Sequence, residues 1–203
     1  MIIVNFSTKL YKPGQKRLSK SLNGHKQLML DSYEAINSPT HQESPYEFKL
    51  HAIEKAFELD PIVLYCDASM YVVGDLGKIE TIIKEDGFFG QEAGHYVDDW
   101  CNDHTRNYFN LTEKGFIMFS AGLLGLNKND ERSMQFFAEW KASARAGCFK
   151  GEWSNHRHDM TCASIIAQRM GFKYQRGGSH MAYIGPGYGK PDAGVTILCQ
   201  GII

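Results

Sequence analysis

The chain has 203 residues, a length that suits one domain. It is 43% hydrophobic and 22% charged, with Lys+Arg at 22 against Asp+Glu at 23 and a net charge of -1. Those values describe a globular chain able to bury a core. They exclude the strong basic excess of non-specific nucleic-acid binders. No apolar run approaches the ~18 residues of a spanning helix. The five cysteines, Cys66, Cys101, Cys148, Cys162 and Cys199, are odd in number and contain no CxxC pair, so reduced core thiols in a cytoplasmic protein are expected.

The first apolar stretch, residues 2–6, is too short and lacks the basic leader of a signal peptide, and reads as a strand. Tyr11 to Gly14, with Pro13-Gly14, reads as a turn before a basic helix carrying Lys16, Arg17, Leu18, Lys20 and Leu22. Residues 27–30 form a second strand and 37–45 a loop. Pro45 then opens a helix running to about Leu59, with Phe48, Ala52, Ile53, Ala56 and Phe57 on one face. Ile62 to Cys66 is apolar throughout, the pattern of a central parallel strand, and Asp67-Ala68-Ser69 stands at its carboxyl end.

A helix follows over 76–84, a short strand over 87–90, and an aromatic-rich helical stretch over 95–109. Residues 116–127 hold another strand. Asn129 or Asp130 caps a helix to about Ala146, and His158 or Asp159 starts one that Gly171 ends. The glycine-rich tail from Gly177 is mostly loop, with short strands at 181–184 and 195–199. Strands alternating with helices predict an α/β layer fold, a mixed and mostly parallel sheet flanked by helices. Ligands of such sheets bind beyond the carboxyl ends of the strands. That rule points to Ser7, to Asp67 and Ser69, and to the segment after Ser120.

Residues 44–49, then Val63 through Asp67-Ala68-Ser69 and Gly74-Asp75-Leu76, then Phe119-Ser120-Ala121-Gly122, then His156-Arg157-His158-Asp159-Met160-Thr161, occur in a familiar order. The pattern spans residues 1–170. It resembles the GT-A glycosyltransferases, especially the retaining family 8-like and capsule-type nucleotide-diphospho-sugar transferases, and small transferase-like proteins of phage genomes. The resemblance implies a single GT-A-like domain, with a donor-nucleotide half at 1–110 and a sugar and acceptor half at 111–203. It implies transfer of a sugar from a nucleotide diphosphate, UDP-sugar favoured, to a hydroxyl, with retention of configuration. The acceptor is left open between a hydroxymethylated base in DNA, a glycan and a small molecule. Two positions depart from the family pattern. Ser69 stands where Asp-x-Asp has its second acid, which thins the metal site, and Met160 replaces a common Gln after the helix-start Asp.

A departing diphosphate needs its charge neutralised. A carboxylate at a strand end can hold Mn²⁺ or Mg²⁺ against both phosphates. Asp67 suits that role, with Ser69 beside it, although the same residue also suits a turn cap. By resemblance, His180 supplies a third metal ligand. Lys12, Arg17 and Lys49 are candidate diphosphate cations, Lys49 foremost. Ser7 is placed at the nucleoside, and Ser120, Ala121 and Gly122 at the sugar pocket. Asp159 is a sugar- or acceptor-facing carboxylate by resemblance and a simple helix-start acid without it, and Arg157 pairs with phosphate or an acid. Glu92, like His95, is either acceptor-facing, even a general base, or a solvated loop residue. His156 and His158, two residues apart, make a poor zinc pair. Residues 185–190 read as a flap closing over the donor. The competing functions are a nucleotidyltransferase, which would want a Gly-rich, Lys-ended loop after the first strand, and a degenerate sugar-nucleotide-binding module, which the loss of the second acid favours.

Overall fold

The computed structural model describes residues 1–200. Strand β1 (Ile2–Phe6) leads into helix α1 (Lys12–Ser21), then β2 (Lys26–Leu30), α2 (Phe48–Phe57) and β3 (Ile62–Cys66). A short β4 (Met70–Val72), α3 (Gly77–Asp86), β5 (Phe88–Tyr96), α4 (Asp103–Tyr108) and β6 (Ile117–Asn127) follow. The chain continues through α5 (Glu131–Arg145), α6 (His158–Arg169), β7 (Met181–Tyr183) and β8 (Ile197–Cys199).

The main sheet has the order β2-β1-β3-β6-β5. β1 pairs in parallel with β2 and β3, while β6 runs antiparallel to both β3 and β5. Four strands therefore share one direction and β6 alone opposes them. β1 and β3 are buried along their whole length, as runs that are apolar but for Asn5 require. Alternation sends Val4, Val63, Tyr65 and Phe88 to a layer with α2, α5 and α6. Ile3, Leu64 and Phe89 go to the other face, with α1, α3 and the small sheet β4-β8-β7. The architecture is thus an α/β sandwich around a mixed, mostly parallel sheet. β6, from the second half of the chain, lies between strands of the first half. No helix among the described residues is long and apolar enough to cross a membrane.

Helix α2 starts at Phe48 rather than Pro45, β4 is unexpected, and three further elements differ from expectation. Residues 12–14 are not a turn before a helix but its first turn, because proline is readily accommodated there, with its fixed φ and missing N–H. The strand expected at 87–90 continues to Tyr96, with register shifts after Gly90 and Glu92. Such bulges break the alternation by which a strand is read. The 95–109 helix shrinks to Asp103–Tyr108, started by Asn102, whose side chain accepts from the Thr105 amide. Gly201, which belongs to the expected glycine-rich tail, lies outside the described residues.

The antiparallel direction of β6 has a positional effect. Leu123 lies opposite Cys66, the last residue of β3, so Ser120, Ala121 and Gly122 overhang the carboxyl edge of the sheet. That edge is stitched by polar side chains inside an apolar strand. Asn5, fully buried, donates to the Cys66 carbonyl at 2.6 Å and accepts from Gln15 at 2.9 Å, and Gln15 also donates to the Leu30 carbonyl at 2.8 Å. The ends of β1, β2 and β3 and the start of α1 are held together by this network. Replacing Asn5 with Leu takes the side-chain donor from the Cys66 carbonyl and one of two acceptors from the Gln15 amide. The expected loss is about 1–3 kcal/mol in urea unfolding, and an unchanged midpoint would contradict the network's importance.

Candidate functional site

The carboxyl edge of β1 and β3 opens into a cavity of about 230 Å³. Its lining includes Phe6, Ser7, Tyr33, Tyr46, Phe48 and Asp67, with Ala68 and Ser69 beside them. Phe6 stacks on Phe48 at 4.7 Å between centroids and meets Tyr33 at 4.8 Å, and His41 meets Tyr46 edge-on at 4.7 Å. The walls are therefore aromatic, and the polar groups are few. The Ser7 hydroxyl is buried in this wall and makes no hydrogen bond within the described protein. Buried polar atoms are almost always satisfied, so an orphan hydroxyl on a cavity-lining residue is a group that a ligand could satisfy.

Helix α1 begins at this cavity with no acidic residue in its first turn and no side-chain cap. A Cβ on Gly14 would lie 2.1 Å from the Ala68 carbonyl oxygen, so only glycine lets the helix start press against the Asp67–Ser69 turn. The positive end of the helix thereby faces the cavity.

Asp67 stands on the turn that leaves β3. Its amide donates to the Gly122 carbonyl at 2.8 Å, and its carbonyl accepts from Met70 at 3.0 Å. A Cβ on Gly122 would come 2.4 Å from the Asp67 carboxylate, so the bare backbone of Gly122 cradles it. Behind Asp67 lies Lys49 from α2, whose ammonium is 3.6 Å from Asp67 and 2.9 Å from Asp159 at the start of α6. It also donates to the Ala121 carbonyl at 3.3 Å. Side-chain exposure is 4% for Lys49, 4% for Asp159 and 35% for Asp67, so only Asp67 of the three reaches the cavity. Burial pulls the Lys49 pKa down, but the charges of Asp159 and Asp67 outweigh it and hold the group above its ordinary value. Burial raises the Asp159 pKa, with Lys49 opposing.

Tyr46 forms a shared wall. It lines the cavity, lies 5.0 Å under the Lys49 ammonium, and contacts His158 at 5.5 Å. Its hydroxyl is pushed up to about 12, by burial first and then by Asp159. Tyr46 and His158 both have left-handed backbones, φ 62 and φ 47, unusual for bulky residues and costing about 1–3 kcal/mol each. Beyond them Arg157 is clasped between Trp100 at 3.4 Å and Trp153 at 4.1 Å, and donates to the Trp153 carbonyl. The stacked arrangement resembles an aromatic platform, but its occupant is the protein's own guanidinium.

The remaining candidates are dispersed. Arg17 donates to the Ser69 carbonyl at 3.0 Å and to Gln200 at 3.2 Å, bracing the turn after β3. Lys12 is engaged with Asp31 and Gln15. Ser69 lines the cavity, with its hydroxyl accepting from Cys199 at 3.3 Å. Ser120 is buried on the overhang of β6. Glu92 is opposite Phe119 and accepts from the Gly177 amide at 3.1 Å. His156 donates to the Cys148 carbonyl at 2.8 Å and is pulled down to about 4, mainly by burial, so it stays neutral in the interior. None of the expected flap at 185–190 lines the aromatic cavity; Tyr188, Gly189 and Lys190 line a second one, beside Glu92 and Tyr183.

His180 is not brought to Asp67. Its ring packs edge-on against Phe89 at 5.4 Å, and its carbonyl accepts from Thr196, at the end of β8 remote from Met70. Sequence order cannot show which end of a short strand meets the site, and this one is turned away. Among the described residues no three His, Cys, Asp or Glu side chains gather into a metal cage. The smallest set that holds Mg²⁺ or Mn²⁺ is one carboxylate completed by substrate phosphates. Asp67, exposed to the cavity and cradled by Gly122, fits that set and no larger one. Sequence reasoning missed Asn5, Gln15 and the aromatic wall of Phe6, Tyr33 and Phe48. The only available signal was a polar residue inside an otherwise apolar first strand.

The sequence matches no protein-family model and no curated protein. Solved structures do resemble it. Mouse xyloside xylosyltransferase 1 in its apo form superposes with a TM-score of 0.58 at 9% identity, covering 98% of each chain. The apo WbbM bifunctional glycosyltransferase gives 0.54 at 13% identity, over 90% of this chain and 40% of that one. Galactosyltransferase LgtC, solved with donor and acceptor sugar analogs, gives 0.52 at 12% identity, over 90% and 76%. The chain therefore has the GT-A-like fold of these proteins.

The buried charge cluster can be tested by stability alone. Lys49→Met leaves Asp159 without a cation, and removing one partner of a buried pair costs about 3–5 kcal/mol. The variant's Asp159 pKa, freed of Lys49, rises further above its unfolded value. A carboxyl with a raised folded pKa stabilises the fold when protonated and loses that contribution as pH climbs through the folded value. The deficit against wild type should then be smaller at about pH 5 than at about pH 7.5 in urea titrations. A deficit independent of pH would rule out an uncompensated Asp159.

Proposed function

We propose that the protein is a glycosyltransferase that moves a sugar from a nucleoside diphosphate to a hydroxyl acceptor. The observation that carries this reading is the aromatic cavity at the carboxyl edge of β1 and β3, with Asp67 at its rim and the unpartnered Ser7 hydroxyl in its wall. The names of the structural neighbours, a xylosyltransferase and a galactosyltransferase among them, support sugar transfer as the chemistry that this fold carries.

In this reading the aromatic walls hold the nucleobase, and Ser7 bonds the base or ribose. The start of α1 and Asp67 meet the diphosphate. A divalent cation, when bound by Asp67 and the phosphates, supplies further neutralisation of the leaving charge. The bond from the sugar's anomeric carbon to the phosphate oxygen breaks, and its electron pair leaves with the diphosphate. The acceptor oxygen bonds to that carbon and passes its proton to the departing diphosphate. Gly122 and Ser120 border the space for the sugar. Lys49 fixes the orientation of Asp67, and Asp159, buried beneath it, is a positioning residue that holds Lys49 charged. Glu92 faces the acceptor side. We take UDP-sugars as the donor class and retention as the stereochemical course, both on the resemblance of the motifs.

The purified protein, given a panel of UDP- and GDP-sugars with Mn²⁺, should release the nucleoside diphosphate from one of them. Asp67→Asn should slow that release about 100-fold or more, the scale of losing one group that stabilises transition-state charge, while circular dichroism remains unchanged. Tight donor binding without turnover by the wild type would instead favour a binding module, and pyrophosphate release from a nucleoside triphosphate a nucleotidyltransferase. Near-normal turnover by Asp67→Asn would remove the carboxylate from the mechanism.

A further inference from the structure

A second cavity, of about 360 Å³, opens on the far side of the β6 overhang. Glu92, Tyr183, Tyr188, Lys190 and Asp192 line it. Tyr183 and Tyr188 stack with centroids 5.6 Å apart and planes within 23°, yet they are 41% and 59% exposed. Two stacked, solvent-facing tyrosines hide little apolar surface from water between them. Their faces are available to a ligand.

The frame around the pair is rigid. The Gln91 side chain donates to the Met181 carbonyl at 2.8 Å and accepts from the His180 and Met181 amides, both at 2.8 Å, fastening β7 to β5. Glu92 is held by the Gly177 amide. Tyr183 also links this cavity to the donor side. It lies opposite Cys199, which pairs with Met70, three residues after Asp67. Its hydroxyl is pushed up to about 12, by burial first and then by Cys199 and Asp67, with Ser120 opposing through a hydrogen bond.

The lining discriminates among acceptors. A pyranose presents C–H faces that stack on aromatic rings and hydroxyls that donate to carboxylates, which Glu92 and Asp192 supply. A nucleic-acid backbone needs cations at its phosphates, and here Lys190 is outnumbered by two acids. We propose that the cavity between Glu92 and the Tyr183–Tyr188 pair is the acceptor subsite, and that it takes a neutral saccharide ring. This assignment rests on the glycosyltransferase reading above for the word acceptor, but not for the binding of a saccharide.

Binding is measured directly, without donor, by saturation-transfer NMR and calorimetry with lactose, maltose and cellobiose, and with a duplex containing 5-hydroxymethylcytosine. At least one disaccharide should bind, with saturation strongest on its ring C–H protons, and the duplex should not. Tyr188→Ala should weaken that binding about 5–10-fold, Tyr188→Phe should retain it, and neither should shift the melting temperature. Failure of all three disaccharides, equal binding by Tyr188→Ala, or binding of the duplex alone would overturn the subsite. Nucleoside diphosphate release is followed separately on the wild type. Turnover without saccharide binding sinks the subsite alone. Saccharide binding without turnover of any sugar nucleotide sinks the transferase reading and leaves a saccharide site.

Discussion

A single buried ammonium organises this molecule. Lys49 reaches from α2 to the end of β3 and the start of α6, elements separated widely in sequence, and it meets an acid at each. An ammonium withdrawn from water carries a penalty of several kcal/mol that only close opposite charge offsets. The position of Lys49 therefore depends on Asp159 below and Asp67 in front, and theirs on Lys49. Two acids against one lysine leave the centre with one excess negative charge. The acid with more solvent is Asp67, so a negative charge at the cavity rim is less desolvated there than on Asp159.

The same constraint explains why backbone strain collects nearby. Tyr46 and His158 adopt left-handed conformations on either side of the Lys49–Asp159 pair, and their rings touch. Strain of this kind persists only where surrounding contacts over-determine it. Here His158 donates to the Phe149 carbonyl at 2.8 Å and stacks on Trp153, and Trp140 donates to the Asp159 carbonyl at 3.0 Å. The start of α6 is pinned from three directions. The backbone of Asp159 is consequently held by these contacts and its carboxylate by Lys49, rather than by the cap interaction that a first-turn acid would ordinarily imply.

Much of the fold was legible because its strands obey simple patterns. Residues 62–66 are apolar throughout and 2–6 are apolar but for Asn5, and both are interior strands. Asp130 caps α5 as its position before an apolar-periodic stretch suggests, accepting from the Ser133 amide. β5 resisted reading because its bulges break alternation, and α4 because it is a single short turn set among aromatics. At the site, Lys49, Asp67 and Asp159 could each be singled out by resemblance, but not their union. Ion pairing across 18 and 110 positions leaves no periodic trace. His180 shows the converse. The resemblance implied a metal ligand, whereas strand pairing, invisible in sequence, sets its ring against Phe89.

Direction within the sheet then decides how the two cavities relate. Were β6 parallel to β3, its first residues would sit at the opposite edge, and nothing would overhang Asp67. Running antiparallel, β6 carries Ser120 and Gly122 past the end of β3 and forms a ledge. The aromatic cavity lies on one side of this ledge and the tyrosine-lined cavity on the other, with Gly122 against Asp67 and Ser120 against Tyr183. A side chain at position 122 would displace the Asp67 carboxylate, since no room exists for even a methyl group. The ledge is thus narrow where the carboxylate rests and polar where the second cavity begins, which is the geometry that bringing two ligands to one reacting centre requires.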